Sequence, residues 1–130
     1  MCATGKGMLE MNILGTEYTI ERRNELEDPA MVGARGYIDR TSKRIALGDF
    51  QRTQALDYDD VATEEAGTIR HELIHAFFFE SGLEEYGGDE TLVQWIAMQL
   101  PKINKAIEEA NELLRNTRQL EQGRLEIVYD

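Results

Sequence analysis

Residues 71–75 read His71-Glu72-Leu73-Ile74-His75, and the 2 histidines of the chain are both here. On a helix, side chains four residues apart share a face, so His71 and His75 can direct imidazole nitrogens at one ion. Glu72 lies one position round from His71. Its carboxylate can stand beside that ion without ligating it and hold a water there. Zinc in such a setting lowers the pKa of the water, and the carboxylate takes its proton. The pattern thus specifies most of a metal-hydrolase centre, with His71 and His75 as ligands and Glu72 as general base.

A catalytic zinc usually has three protein ligands. No third histidine exists, and Cys2 is the only cysteine, so neither a cysteine zinc site nor an intrachain disulfide can form. The third donor is expected to be Asp or Glu, or less commonly another oxygen donor, and the carboxylates shortly after the motif are Glu80, Glu84, Glu85, Asp89 and Glu90. Glu80 follows His75 on the same helix, rotated away from the metal face. Glu84 and Glu85 lie in a connection. Glu90 opens the next helix, which can fold back and bring its first turn to the metal, with Val93 and Ala97 packing on the motif helix. Glu90 is therefore favoured, and Asp89 and Glu85 are the alternatives. Tyr86 and Tyr58 are candidates to donate a hydrogen bond to a developing oxyanion.

The elements that must position these residues are legible around them. Thr63–Arg70 carries acidic residues where a helix start favours them. Ile69, Leu73, Ala76 and Phe77 form an apolar stripe that Ile74 and Phe78 widen, and Gly82 suits a left-handed C-cap with Leu83 packing back. A helix from about Val61 to Ser81 is expected. Asp89 is a suitable N-cap for a helix from Glu90 to Leu100, and Pro101 then ends, kinks or restarts it. From Ile103 a 3.6-residue apolar period continues through Ala106, Ile107, Ala110, Leu113, Leu114 and Thr117. It is read as core packing in preference to a partner-binding helix.

Upstream, Met11–Leu14 and Glu17–Arg22 alternate around Gly15-Thr16 as a β-hairpin. Asn24–Arg35 reads as a loop. Gly36–Asp39 and Arg44–Leu47 flank Arg40–Lys43 as a second hairpin. Gln51–Asp60 is polar and irregular, and Arg124–Tyr129 reads as a short strand or an extended tail. Strands followed by helices imply an α+β fold. Residues 1–10 read as a flexible extension, with Met8 or Met11 as candidate starts, and residues 11–130 as a single domain.

The chain has 130 residues and a net charge of −11, from 25 acidic and 14 basic side chains. That balance argues against grip on a nucleic-acid backbone, which needs clustered Lys and Arg. It is read mainly as a solvated, solubilising surface. No apolar run reaches the length of a membrane span, and the N-terminus lacks the apolar stretch of a signal peptide, so a cytoplasmic location is expected.

The HExxH element followed by Glu90–Ala97 and Leu100-Pro101 resembles the small gluzincin metallopeptidases. The nearest type is the ImmA/IrrE-like family with its short relatives in phages and mobile elements. The resemblance covers about residues 36–101. It implies a zincin-like fold, zinc held by His71, His75 and Glu90, Glu72 as general base, and hydrolysis of a peptide bond in a protein or peptide substrate. It also implies an edge strand that receives an extended substrate, expected near Ile45–Leu47. SprT-type proteases share the HExxH helix but favour a further histidine and a basic DNA-binding segment, both missing here. The competing expectation is a zinc-binding regulatory or interaction protein that keeps the fold without turnover.

Overall fold

The computed structural model describes residues 8–48 and 61–123. The order of elements is β1 (Leu9–Ile13), β2 (Thr16–Arg23), a 3-10 turn (Pro29–Met31), β3 (Gly36–Asp39), β4 (Arg44–Gly48), α1 (Val61–Glu80), a short α2 (Glu84–Gly87) and α3 (Glu90–Gly123). This is an α+β arrangement. The chain divides into two compact units, Met1–Ala97 and Met98–Asp130. Among the described residues, no helix is long and apolar enough to cross a membrane.

Both hairpins form where the alternation placed them. The first closes through Leu14 and Gly15, whose φ values of 51° and 96° suit a tight two-residue turn matched to strand twist. It begins earlier than expected, because Leu9 and Glu10 pair with Ile20 and Thr19. Residues 9 and 10 are therefore strand and not extension. The rest of that expected extension, the candidate strand 124–129 and the irregular segment 51–60 lie outside the described residues, apart from Met8.

The sheet has the order β1-β2-β4-β3. β2 and β4 run parallel with Ile20 opposite Ile45, and β3 and β4 run antiparallel with Ile38 opposite Ile45. This corrects the expected substrate edge. Ile45–Leu47 belongs to a strand paired on both sides, so its main-chain groups are already used. The edge strand of that hairpin is β3.

Strand alternation sends Ile13, Tyr18, Ile45 and Leu47 to one face of the sheet, where they form the core with Ala76 of α1. Met11, Ile20, Ile38, Ile69 and Leu73 pack around them. The buried face of α1 carries Thr68, Glu72, His75 and Ala76. It is centred further from Phe77 than the apolar stripe suggested, and Phe77 is exposed. The helix ends as expected. Gly82 has φ 87°, and the Leu83 amide donates to the Phe78 carbonyl at 3.1 Å, the long bond of a Schellman ending.

α3 extends beyond the expected Leu100 and runs through Pro101, which leaves out only the reading in which that proline ends the helix. Of its apolar residues beyond that point, Ile103, Ile107, Leu113 and Leu114 are exposed, the last two at 67%. Periodicity reports an amphipathic face, not what covers it.

Glu80 closes the contact between α1 and the sheet. Its carboxylate accepts from Thr16 Oγ1 (2.7 Å), Tyr18 OH (2.6 Å) and Lys43 Nζ (2.8 Å). Tyr18 is fully buried, and burial together with the Glu80 carboxylate pushes its phenol above the usual range. Hydrogen bonds from Lys43, Tyr18 and Thr16 hold the Glu80 carboxyl at about 2, against an ordinary 4.5. A carboxyl whose pKa is depressed by folding stabilises the fold above its unfolded pKa, and that stability fades as pH falls toward the folded value. Urea unfolding of the wild type and Glu80→Gln should therefore show a clear gap at pH 7 that narrows between pH 4.5 and about 2. A gap independent of pH would mean that the ionised carboxylate is not what stabilises this contact.

Candidate metal centre

The site lies within the first compact unit, where α1 passes beside β3. Gly36 makes this approach possible. A Cβ there would stand 2.7 Å from Thr68 Cγ2, 3.0 Å from the Ala46 carbonyl oxygen and 3.5 Å from Glu72 Oε2. With hydrogen in its place, the helix seats against the strand and Glu72 is buried beside it. Gly36, Ile38, Arg40 and Phe79 line a cleft of about 340 Å³ with His71, Glu72, His75 and Glu90. Tyr37 lines it too, but alternation along β3 turns its ring to the opposite face, where its hydroxyl donates to Asp28.

His71 and His75 project from successive turns of α1 with their Nε2 atoms 3.2 Å apart. Glu90, the first residue of α3, faces both. Its Oε1 is 2.8 Å from His75 Nε2 and its Oε2 is 3.2 Å from His71 Nε2. The expected third donor is thus brought to the two imidazoles, and these three residues form a group able to hold a metal ion. The alternatives are engaged elsewhere. Asp89 caps α3 by accepting from the Leu92 amide at 3.0 Å, Glu84 pairs with Arg40 at 3.3 Å, and Glu80 binds the sheet. Glu85 is exposed on α2.

The outer nitrogens explain why a cation fits. His75 Nδ1 donates to the Gly87 carbonyl at 2.5 Å, and His71 Nδ1 donates to Gln94 Oε1 at 2.7 Å. A neutral imidazole that donates from Nδ1 presents a lone pair at Nε2. In that form both Nε2 atoms and the Glu90 carboxylate are donor atoms that one cation could share. For nitrogen and carboxylate ligands at bonds of about 2.0–2.2 Å, a tetrahedron has edges of roughly 3.3–3.5 Å. The observed separations of 2.8–3.2 Å need only a small opening to match.

These orienting partners are not visible in the HExxH pattern. Gln94 follows Glu90 by four residues and so shares its face, a relation legible once Glu90 is taken as ligand. The Gly87 carbonyl has no sequence signal of its own. The glycine does, because a Cβ at Gly87 would collide with the Phe79 ring at 2.4 Å. His75 is nearly enclosed, with 5% of its side chain accessible. Burial raises the Glu72 carboxyl above its ordinary 4.5, the two nearby imidazoles oppose that shift, and Glu90 adds to it. Of the tyrosines proposed for an oxyanion, Tyr86 packs against the Phe78 ring at 6.2 Å and is absent from the cleft lining, and Tyr58 lies outside the described residues.

No protein-family model, curated protein or solved structure matches this chain.

Metal titration monitored by chelator competition should give one ion per chain. Glu90→Ala should lose tight binding, Gln94→Ala should weaken it about 10–100-fold as loss of a ligand-orienting partner does, and Glu85→Ala should leave it unchanged. Loss in Glu85→Ala with retention in Glu90→Ala would shift the third ligand onto α2.

Proposed function

We propose that this protein is a zinc-dependent metallopeptidase that hydrolyses a peptide bond in a protein or peptide substrate. The observation that carries this reading is the convergence of His71, His75 and Glu90 beside a buried Glu72, in a cleft walled by an edge strand. The resemblance of residues 36–101 to small ImmA/IrrE-like gluzincins supports it, as does the preference of imidazole and carboxylate donors for zinc.

Bound zinc would polarise the scissile carbonyl and acidify a water, the Lewis-acid roles of the metal in such sites. The chain's own residues supply the rest. Glu72 takes one proton from the water as the water oxygen bonds to the carbonyl carbon. When the carbon–nitrogen bond breaks, Glu72 returns that proton to the departing amine, leaving a carboxylic acid and a free amine. Burial suits Glu72 to this exchange, because a desolvated carboxylate holds a proton more readily than an exposed one.

An extended substrate would add to β3. Gly36–Asp39 pairs with β4 on one side, and its main chain borders the cleft. Such pairing gives affinity through backbone hydrogen bonds and leaves selectivity to side-chain contacts. Phe79 and the Arg40 guanidinium, 4.3 Å above its ring, form one wall that such a substrate would meet.

Glu72→Gln separates turnover from binding, because it preserves shape and removes the base. The variant should keep its metal and its melting temperature while losing hydrolysis of cleavable protein substrates by at least about 100-fold. Function in full with Glu72→Gln, alongside normal metal loading, would instead favour a zinc-binding interaction protein.

A further inference from the structure

Pro101 lies inside α3. A proline has no N–H, so the carbonyl four residues earlier loses its helical donor. That carbonyl belongs to Ala97, which is buried. It is not left without a partner, since Arg70 Nε donates to it at 2.8 Å. Arg70 is the neighbour of His71 on α1. A buried carbonyl that loses its bond costs free energy, and a guanidinium makes a charge-assisted replacement.

Glu90, Gln94 and Ala97 stand at i, i+4 and i+7 and so share one face of α3. Glu90 meets both imidazoles, Gln94 orients His71, and Ala97 receives Arg70. The Ala97 contact lies about 10 Å along the helix from Glu90. It is the one tie in this row that uses no metal-facing side chain. Beyond the contacts of Glu90 and Gln94, the one at Ala97 adds a further point that holds the Glu90–Ala97 stretch against α1.

We propose that Arg70 is a positioning residue for the metal centre, holding α3 through the carbonyl that Pro101 leaves vacant so that Glu90 meets His71 and His75. This inference rests on the metal-centre reading.

The full-length protein, stripped of metal, is titrated with cobalt and with zinc against a competing chelator, and the visible absorption of the cobalt form is recorded. Arg70→Met keeps the aliphatic stem and removes the donor. It should weaken metal binding on the order of tenfold, as loss of a partner that supports a ligand does, and alter the cobalt spectrum. Arg70→Lys, which keeps a donor, should recover part of both. The same substitutions in a Glu90→Ala background should change affinity much less, because the ligand through which Arg70 chiefly acts is gone.

Wild-type affinity and spectrum in Arg70→Met would overturn the inference and leave the metal centre standing. An equal loss in both backgrounds would also overturn it, by showing that Arg70 does not act through Glu90. A wild-type protein that takes up neither ion removes the centre and the inference together. If thermal unfolding shows that metal-free Arg70→Met is not folded, Arg70→Lys against wild type in the two backgrounds carries the same comparison.

Discussion

Three hydrogen bonds to one carboxylate set the position of the motif helix. Thr16, Tyr18 and Lys43 come from the sheet side, and Glu80 receives all of them at the end of α1. They fix how far the helix slides along the sheet and how it is turned about its axis. Glu72, Ala76 and Glu80 lie along adjacent turns of that helix, so anchoring Glu80 places Ala76 in the core and Glu72 against Gly36. The Arg22–Glu65 pair adds a second link between β2 and α1, at 2.6 Å and 2.7 Å. Its arginine is largely exposed, and a pair of that kind contributes about 0–1 kcal/mol.

Once α1 is seated, the remaining constraint is electrostatic. The Gly87 carbonyl and Gln94 Oε1 each accept a hydrogen bond from an Nδ1–H, which turns both Nε2 atoms toward Glu90. Support for the imidazoles comes from two elements, the segment after the Schellman ending and the first turns of α3. A group held by several elements needs little further ordering to bind an ion.

The glycines at this site act through close approach. Gly36 admits Thr68 and Glu72 to the strand, and Gly87 passes beneath the Phe79 ring to reach His75. Phe79 in turn carries the Arg40 guanidinium at the cleft wall. Packing and the candidate metal site thus share contacts: the residues that make α1 fit the sheet are neighbours of His71, His75 and Glu90.

Local physics made much of this readable in the sequence. The HExxH spacing, the Asp89 cap, the Gly82 ending and the two hairpins depend on residues a few positions apart, and the structure shows each of them. The carbonyl freed at Ala97 is equally local, since any helix through Pro101 must leave it without its usual donor. What covers a surface or completes a bond across the chain is not local. Strand order decided that β4 is interior and β3 the edge, because the parallel β2–β4 pairing joins strands from two different hairpins. The apolar period beyond Ile103 is the same whether a helix is buried or exposed, and here it is exposed. Glu80 could be read as turned from the metal, but its partners lie 37 to 64 residues away in sequence. Gln94 and Arg70 likewise acquire their roles only when α3 lies beside α1, because a hydrogen bond needs a donor and an acceptor brought within about 3 Å of each other.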